Sequence, residues 1–129
     1  MFEITSIAAK DTFTLDLVGP NDAPLKDEAG KPLSVTIYGP GSKAHQRAQA
    51  VRTQRLMDVM AKRGKVKLSA EDQLRENATF LAACTVSFNG WEYKGSADAF
   101  EAAYADPAIG FIADQVSKAV SDWANFTAA

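Results

Sequence analysis

The sequence predicts an α+β fold, mainly helical, in which an N-terminal antiparallel strand pair packs on a bundle of about four helices. Three observations carry that expectation. Residues 12–18 and 33–38 alternate apolar and polar side chains with the period of two that a half-buried strand requires. From residue 42 onward, apolar residues recur mostly at three- and four-residue steps, the spacing of a helix face. No internal repeat, low-complexity tract or linker divides the 129 residues, so 1–129 is expected to be a single domain.

Apolar residues make up 47% and charged residues 23%, the balance of an ordinary globular chain long enough to bury a core without staples. No apolar run reaches the length of a membrane span. The opening MFEITSIAAKDTF carries an acid early and only a short apolar patch, unlike a secretory signal. A lone cysteine, Cys84, excludes an internal disulfide. Between Ala83 and Thr85 it reads as a small buried hydrophobe.

In the first strand Phe13, Leu15 and Leu17 lie opposite Thr12, Thr14 and Asp16. In the second, Leu33, Val35 and Ile37 lie opposite Ser34, Thr36 and Tyr38. The intervening GPNDAPLKDEAGKP is rich in turn formers and too long for a tight hairpin. A mobile acidic loop is therefore expected over residues 19–32, and residues 2–7 are a candidate third strand. Two strands alone are marginal in water, so the ribbon must lay its apolar face on helices. Tyr38-Gly-Pro-Gly-Ser42 then turns strand into helix. Its spacing falls short of the phosphate-binding loop, which needs four residues between its first glycine and a Gly-Lys pair, so it reads as a capped turn.

A basic helix is expected over residues 43–63. Residues 42–67 carry eight basic residues and one acid, a net of +7, between flanks of −3 and −6 that the whole-chain charge of −2 conceals. Such asymmetry bears on docking and partners. Ser42 can cap the helix start and Gly64 can end it, with Lys62 and Arg63 in the last turn where cations suit the dipole. Ala44, Ala48, Val51, Arg52, Leu56, Val59 and Met60 fall near one face. That stripe is alanine-rich until Leu56, so firm packing is expected through the second half only.

Further helices are expected over residues 70–84, 97–105 and 107–126. Ser69-Ala-Glu-Asp72 has the form of a capping box, ahead of a stripe of Leu74, Ala78, Leu81 and Ala82 flanked by Phe80 and Cys84. Thr85-Val-Ser-Phe88 is short and β-prone, and Asn89-Gly90 signals a turn before Trp91. Phe100, Ala103 and Tyr104 mark the short third helix. Asp106-Pro107 starts the last one, whose stripe is Ile109, Ile112, Val116, Ala119, Val120, Trp123 and Phe126.

The residues offer little to catalysis. With one histidine and one cysteine, no usual zinc ligand set can be assembled, and His45, near a helix start, is expected to face solvent. Asn21, Asp22, Asp27 and Glu28 lack the calcium-loop pattern, and no nucleophile elbow is present. No enzyme activity, cofactor or metal is expected, which leaves binding. A nucleic-acid role for the basic helix is disfavoured, because its charges spread around the helix and residues 42–67 hold no aromatic for stacking. The candidate protein-binding surface is Arg52, Arg55, Leu56, Met57, Met60 and Arg63, soft apolar groups within a charged rim. Self-association is a further candidate interaction.

The strand pair ending in Tyr38-Gly-Pro-Gly-Ser42, the charged helix, Leu81-Ala-Ala-Cys-Thr-Val and Trp91 form an order of features with a recognisable close. That close is Phe100-Glu-Ala-Ala-Tyr-Ala-Asp-Pro107, then Gln115-Val, then Asn125-Phe126. The pattern resembles the small tail assembly chaperones of long-tailed bacteriophages and prophages. It covers most of the chain through spacing, with residues 19–32 unmatched. The resemblance implies a non-enzymatic protein, made in the cytoplasm of the bacterial host, whose partner is the hydrophobic tape-measure protein. Such chaperones coat that protein, keep it soluble for tail-tube polymerisation, and are displaced before the virion matures; many are also made as a frameshifted longer form. The alternatives are a tail-tube or head–tail joining component, suggested by the strand pair, and a nucleic-acid binder using the basic helix.

Overall fold

The computed structural model describes residues 1–64 and 69–127, the side chain of Arg63 excepted. The connector expected at residues 66–68 lies outside the described residues. The fold is α+β, with a three-stranded antiparallel sheet and five α-helices among the described residues. Strands β1 (Thr12–Asp16), β2 (Ser34–Tyr38) and β3 (Thr85–Asn89) lie in the order β1-β2-β3. Thr12 pairs with Tyr38 and Asp16 with Ser34, the register that aligns the two apolar faces.

The third strand comes from the middle of the chain, not from residues 2–7. At the N-terminus the Glu3 carboxylate accepts the amide and hydroxyl of Thr5 and curls Ile4–Ile7 into a 3-10 turn. β3 instead pairs with β2 from Asn89 opposite Ser34 to Thr85 opposite Ile37, and an irregularity beside Thr36/Ile37 leaves Val86 without an opposite residue. That bulge explains why Val86 is exposed while Phe88 and Thr85 are buried. On the outer face Asn89 donates to the hydroxyls of Ser34 and Thr36, and the Thr36 and Thr14 hydroxyls bond across the strands.

Residues 19–32 are not a free loop. Three leucines eight residues apart close a ring of backbone hydrogen bonds: Leu17 donates to Leu33, Leu33 to Leu25 and Leu25 to Leu17, at 2.9–3.0 Å. Asp27 Oδ1 accepts the amides of Ala29 and Lys31, so this acid organises a turn. Gln115 pins the ring's edge from across the molecule, its side-chain amide accepting the Val18 N–H and donating to the Val18 carbonyl. A side chain thus stands in for a neighbouring strand.

Helix α1 (Lys43–Arg63) follows local chemistry at both ends. Ser42 Oγ accepts the His45 amide at 3.1 Å, and Gly64 takes a left-handed φ of 73° while its N–H reaches the Met60 carbonyl. Its packing reverses the expectation. His45 and Ala48 in the first half are buried, while Met57 and Met60 in the second are exposed. The first half meets α2 (Ala70–Ala83) through the buried His45 and Ala48, both within reach of Phe80 or the groove beside it. α2 begins on a Ser69 cap and buries Ala78, Phe80 and Leu81.

Helix α3 (Phe100–Ala105) starts three residues later than expected, because Ser96 and Asp98 bond to each other in a preceding turn. The helix expected over residues 107–126 is broken into three. Asp106 caps a 3-10 turn at Pro107–Ile109, α4 spans Gly110–Val120, and α5 is Ala124–Thr127. The break has a cause: Asp122 accepts the Ala124 amide, and the Asn125 side chain caps the Ala119 carbonyl. Trp123 is thereby left exposed, and Phe126 swings into the core against Phe13, ring centroids 5.8 Å apart.

The core joins Val35 and Ile37 of β2 to Leu81, Phe88, Tyr104, Val116, Val120 and Phe126. The Tyr104 hydroxyl lies 2.7 Å from that of Thr85, which in turn donates to the Leu81 carbonyl, so the buried phenol is the donor in a short chain. Burial pushes both Tyr104 and the neighbouring Cys84 thiol up to about 12, consistent with a packing role for each. The Trp91 ring stacks on Phe88 at 3.8 Å and its indole donates to the Ser34 carbonyl.

Gly39 is present for Phe126. A Cβ there would sit 2.4–2.7 Å from the Phe126 ring, so Gly39→Ala is expected to cost about 1–3 kcal/mol through overpacking. Gly110→Ala, where a Cβ meets open space within a helix, is expected to be neutral or to stabilise by up to about 1 kcal/mol. Chemical denaturation of the two variants measures the contrast.

Candidate protein-binding surface

Phe80 fixes α1 to the body. Its buried ring packs edge-to-face with His45, with centroids 5.4 Å apart at 86°, and the Arg52 guanidinium lies 5.0 Å from the same centroid. These are an edge-to-face pair and a cation–π contact, contributing on the order of 1 kcal/mol each. His45 is 8% exposed, not solvent-facing as expected, and its Nε2 is buried without a hydrogen-bond partner. An exposed helix start gave no hint of this, because the ring that covers His45 belongs to α2. Burial disfavours the imidazolium and holds the pKa of His45 below its ordinary 6.5.

Two grooves flank the contact. The first, of ≈ 300 Å³, runs between α1 and α2 and is lined by Ala44, Arg47, Ala48, Val51, Arg52, Arg55, Phe80 and others. The second, of ≈ 490 Å³, lies on the opposite side of Arg52 and is lined with Leu56, Gln73, Leu74, Glu76 and Asn77. Arg55 and Glu76 approach to 3.5 Å. Arg55 is about half exposed and Glu76 less so, and an ion pair at this separation near the surface adds at most about 1 kcal/mol, so Arg55 is available to a partner.

The structure distributes the six sequence-derived residues unevenly. Arg52 is shared by both grooves, Arg55 lines the first and Leu56 the second. Met57 and Met60, 59% and 53% exposed, line neither of them. At 100° per residue Met57 lies nearly opposite Arg55, so methionines and arginines do not form one patch. Arg63 ends α1, and its side chain lies outside the described residues. Sequence reasoning missed Arg47, Val51 and the α2 wall of Glu76, Thr79 and Phe80. Val51 was assigned to the packed face yet is 55% exposed. Only knowing which helix faces α1 would have found the wall.

Among the described residues, no three His, Cys, Asp or Glu side chains are grouped to hold a metal ion, and no helix is long and apolar enough to cross a membrane. Asp106, which caps the turn that starts at Pro107, is held below the usual carboxylate range by the Tyr93 hydroxyl and the Ala108 amide.

His45 is the only histidine, and its depressed pKa means the unfolded chain binds more protons below pH 6.5. Its contribution is therefore complete above pH 6.5 and lost as pH falls through the depressed value. Urea denaturation from pH 7.5 to 5 is expected to show that loss, and His45→Phe, which keeps a ring against Phe80, is expected to abolish it. No family model matches this chain, and neither does any curated protein or solved structure.

Proposed function

We propose that this chain is a non-enzymatic tail assembly chaperone of a long-tailed bacteriophage or prophage. In this reading it binds the tape-measure protein in the host cytoplasm, keeps it soluble during tail assembly and leaves before the virion is complete. One observation supports it above the others. A 21-residue basic helix has its fully buried side chains in its first half, leaving Val51 uncovered in an arginine-edged groove and Met57 and Met60 exposed on another face.

That arrangement suits the task physically. A tape-measure protein is a long, apolar helical chain that must be screened from its own copies and later released. Shallow grooves lined by small residues and flexible arginine stems adapt to many apolar surfaces without demanding one fit. Arginines at the rim speed encounter and orient the client while adding little to the depth of binding. A surface of this kind holds a client reversibly, as a protein absent from the finished particle requires.

Co-expression with the tape-measure protein encoded alongside it tests the proposal. The client is expected in the soluble fraction with this chain and in the pellet without it, and Val51→Asp with Arg55→Glu is expected to return much of it to the pellet. A client whose solubility ignores this chain would overturn the reading. Mass spectrometry of purified particles is expected to find the tape-measure protein and not this chain; abundance in the particle would make it a tail-tube or joining component.

A further inference from the structure

The chain carries a second uncovered feature that the client surface does not use. Phe2, Ile4 and Ile7 are 69%, 65% and 57% exposed, all in the short stretch ahead of the point where the Lys10 amide bonds the Phe126 carbonyl. This stretch is ordered into a 3-10 turn, yet none of its residues is buried. Its one charged side chain is Glu3. The first α1–α2 groove is its complement: apolar at Val51 and Phe80, and cationic at Arg47, Arg52 and Arg55 against a single acid, Glu76.

We propose that the N-terminal segment of one copy docks in the α1–α2 groove of a second copy. Within one molecule the segment and the groove do not meet, since Phe2, Ile4, Ile7 and Val51 all remain exposed. Each is therefore open to another molecule. Charge favours this partner at two scales. Glu3 faces a groove with an excess of arginines, and residues 1–41, at −3, face residues 42–67, at +7. The two surfaces differ, so the contact either closes as a reciprocal exchange between two copies or runs head-to-tail into rings or chains. It occupies the groove assigned above to the client, so a client and a second copy compete for it. The inference stands on the geometry alone, whatever the client's identity.

Sedimentation of the full chain over a concentration and salt series tests it, using Ile4→Asp to disable the segment and Val51→Asp to disable the groove. Both sites are exposed, and circular dichroism checks that each variant folds. Wild-type protein is expected to assemble beyond the monomer with rising concentration, and less so at high salt. Each variant is expected to raise the assembly midpoint about tenfold or more, the effect of losing one good contact. An equimolar mixture of the two is expected to form pairs and stop there, because only one intact segment–groove combination remains. A wild type that stays monomeric, variants that assemble normally, or a mixture that fails to pair would each overturn the proposal; the last result would indicate a symmetric contact elsewhere. Loss of assembly in Ile4→Asp, whose groove is intact, with client solubilisation retained separates this contact from the chaperone reading.

Discussion

The Phe80 ring is the constraint on which the surface of this protein depends. It belongs to the buried core and is also the platform for His45 and Arg52. Little else holds α1. The helix meets the body through the buried His45 and Ala48, and beyond Leu56 and Val59, both half-buried, it presents mostly exposed side chains. Stability within a fold follows local burial, so the distal half of α1 belongs to its least stable part. The grooves exist because one aromatic contact holds two helices together at one point while small residues on either side leave space.

The body behind Phe80 is secured differently, by polar groups satisfied across long sequence separations. Gln115 mimics a strand for Val18, Tyr104 and Thr85 relay a hydrogen bond to the end of α2, and Trp91 closes over Phe88 while bonding Ser34. Buried polar pairs of this kind are costly when broken and specify one arrangement. Phe126 completes the set by seating against Gly39, so the chain's last turn, its strand-to-helix corner and the Lys10 backbone share one contact. A firm body with a lightly fastened helix can offer a variable surface without unfolding.

What could be read from the residues follows the range of the forces involved. Caps at Ser42, Ser69 and Asp106, the stop at Gly64 and the alternation of β1 and β2 are local chemistry, and the structure places them as the pattern predicts. Errors arose where a distant partner decided the outcome. His45 is buried by Phe80, β3 joins a sheet begun far earlier in the chain, and α1 packs by its alanines, not its methionines. The leucine ring at residues 17, 25 and 33 was available as an eight-residue spacing, but turn residues in the same stretch argued for a loop. Asp122 likewise signalled a cap inside what the apolar stripe presented as one helix. Of the binding surface, Arg52, Arg55 and Leu56 could be found from charge and spacing on α1, whereas the α2 wall required the fold.

The central claim is that this protein holds another polypeptide on the uncovered α1–α2 surface. Methyl-resolved NMR of the chain, free and with the proposed tape-measure client added, addresses it residue by residue. Signals of Val51, Leu56, Met57 and Met60 are predicted to shift or broaden on binding, while those of the buried Val35, Leu81 and Val116 hold their positions. Unmoved α1 methyls, with changes confined to Leu25, Leu33 and the sheet, would contradict it.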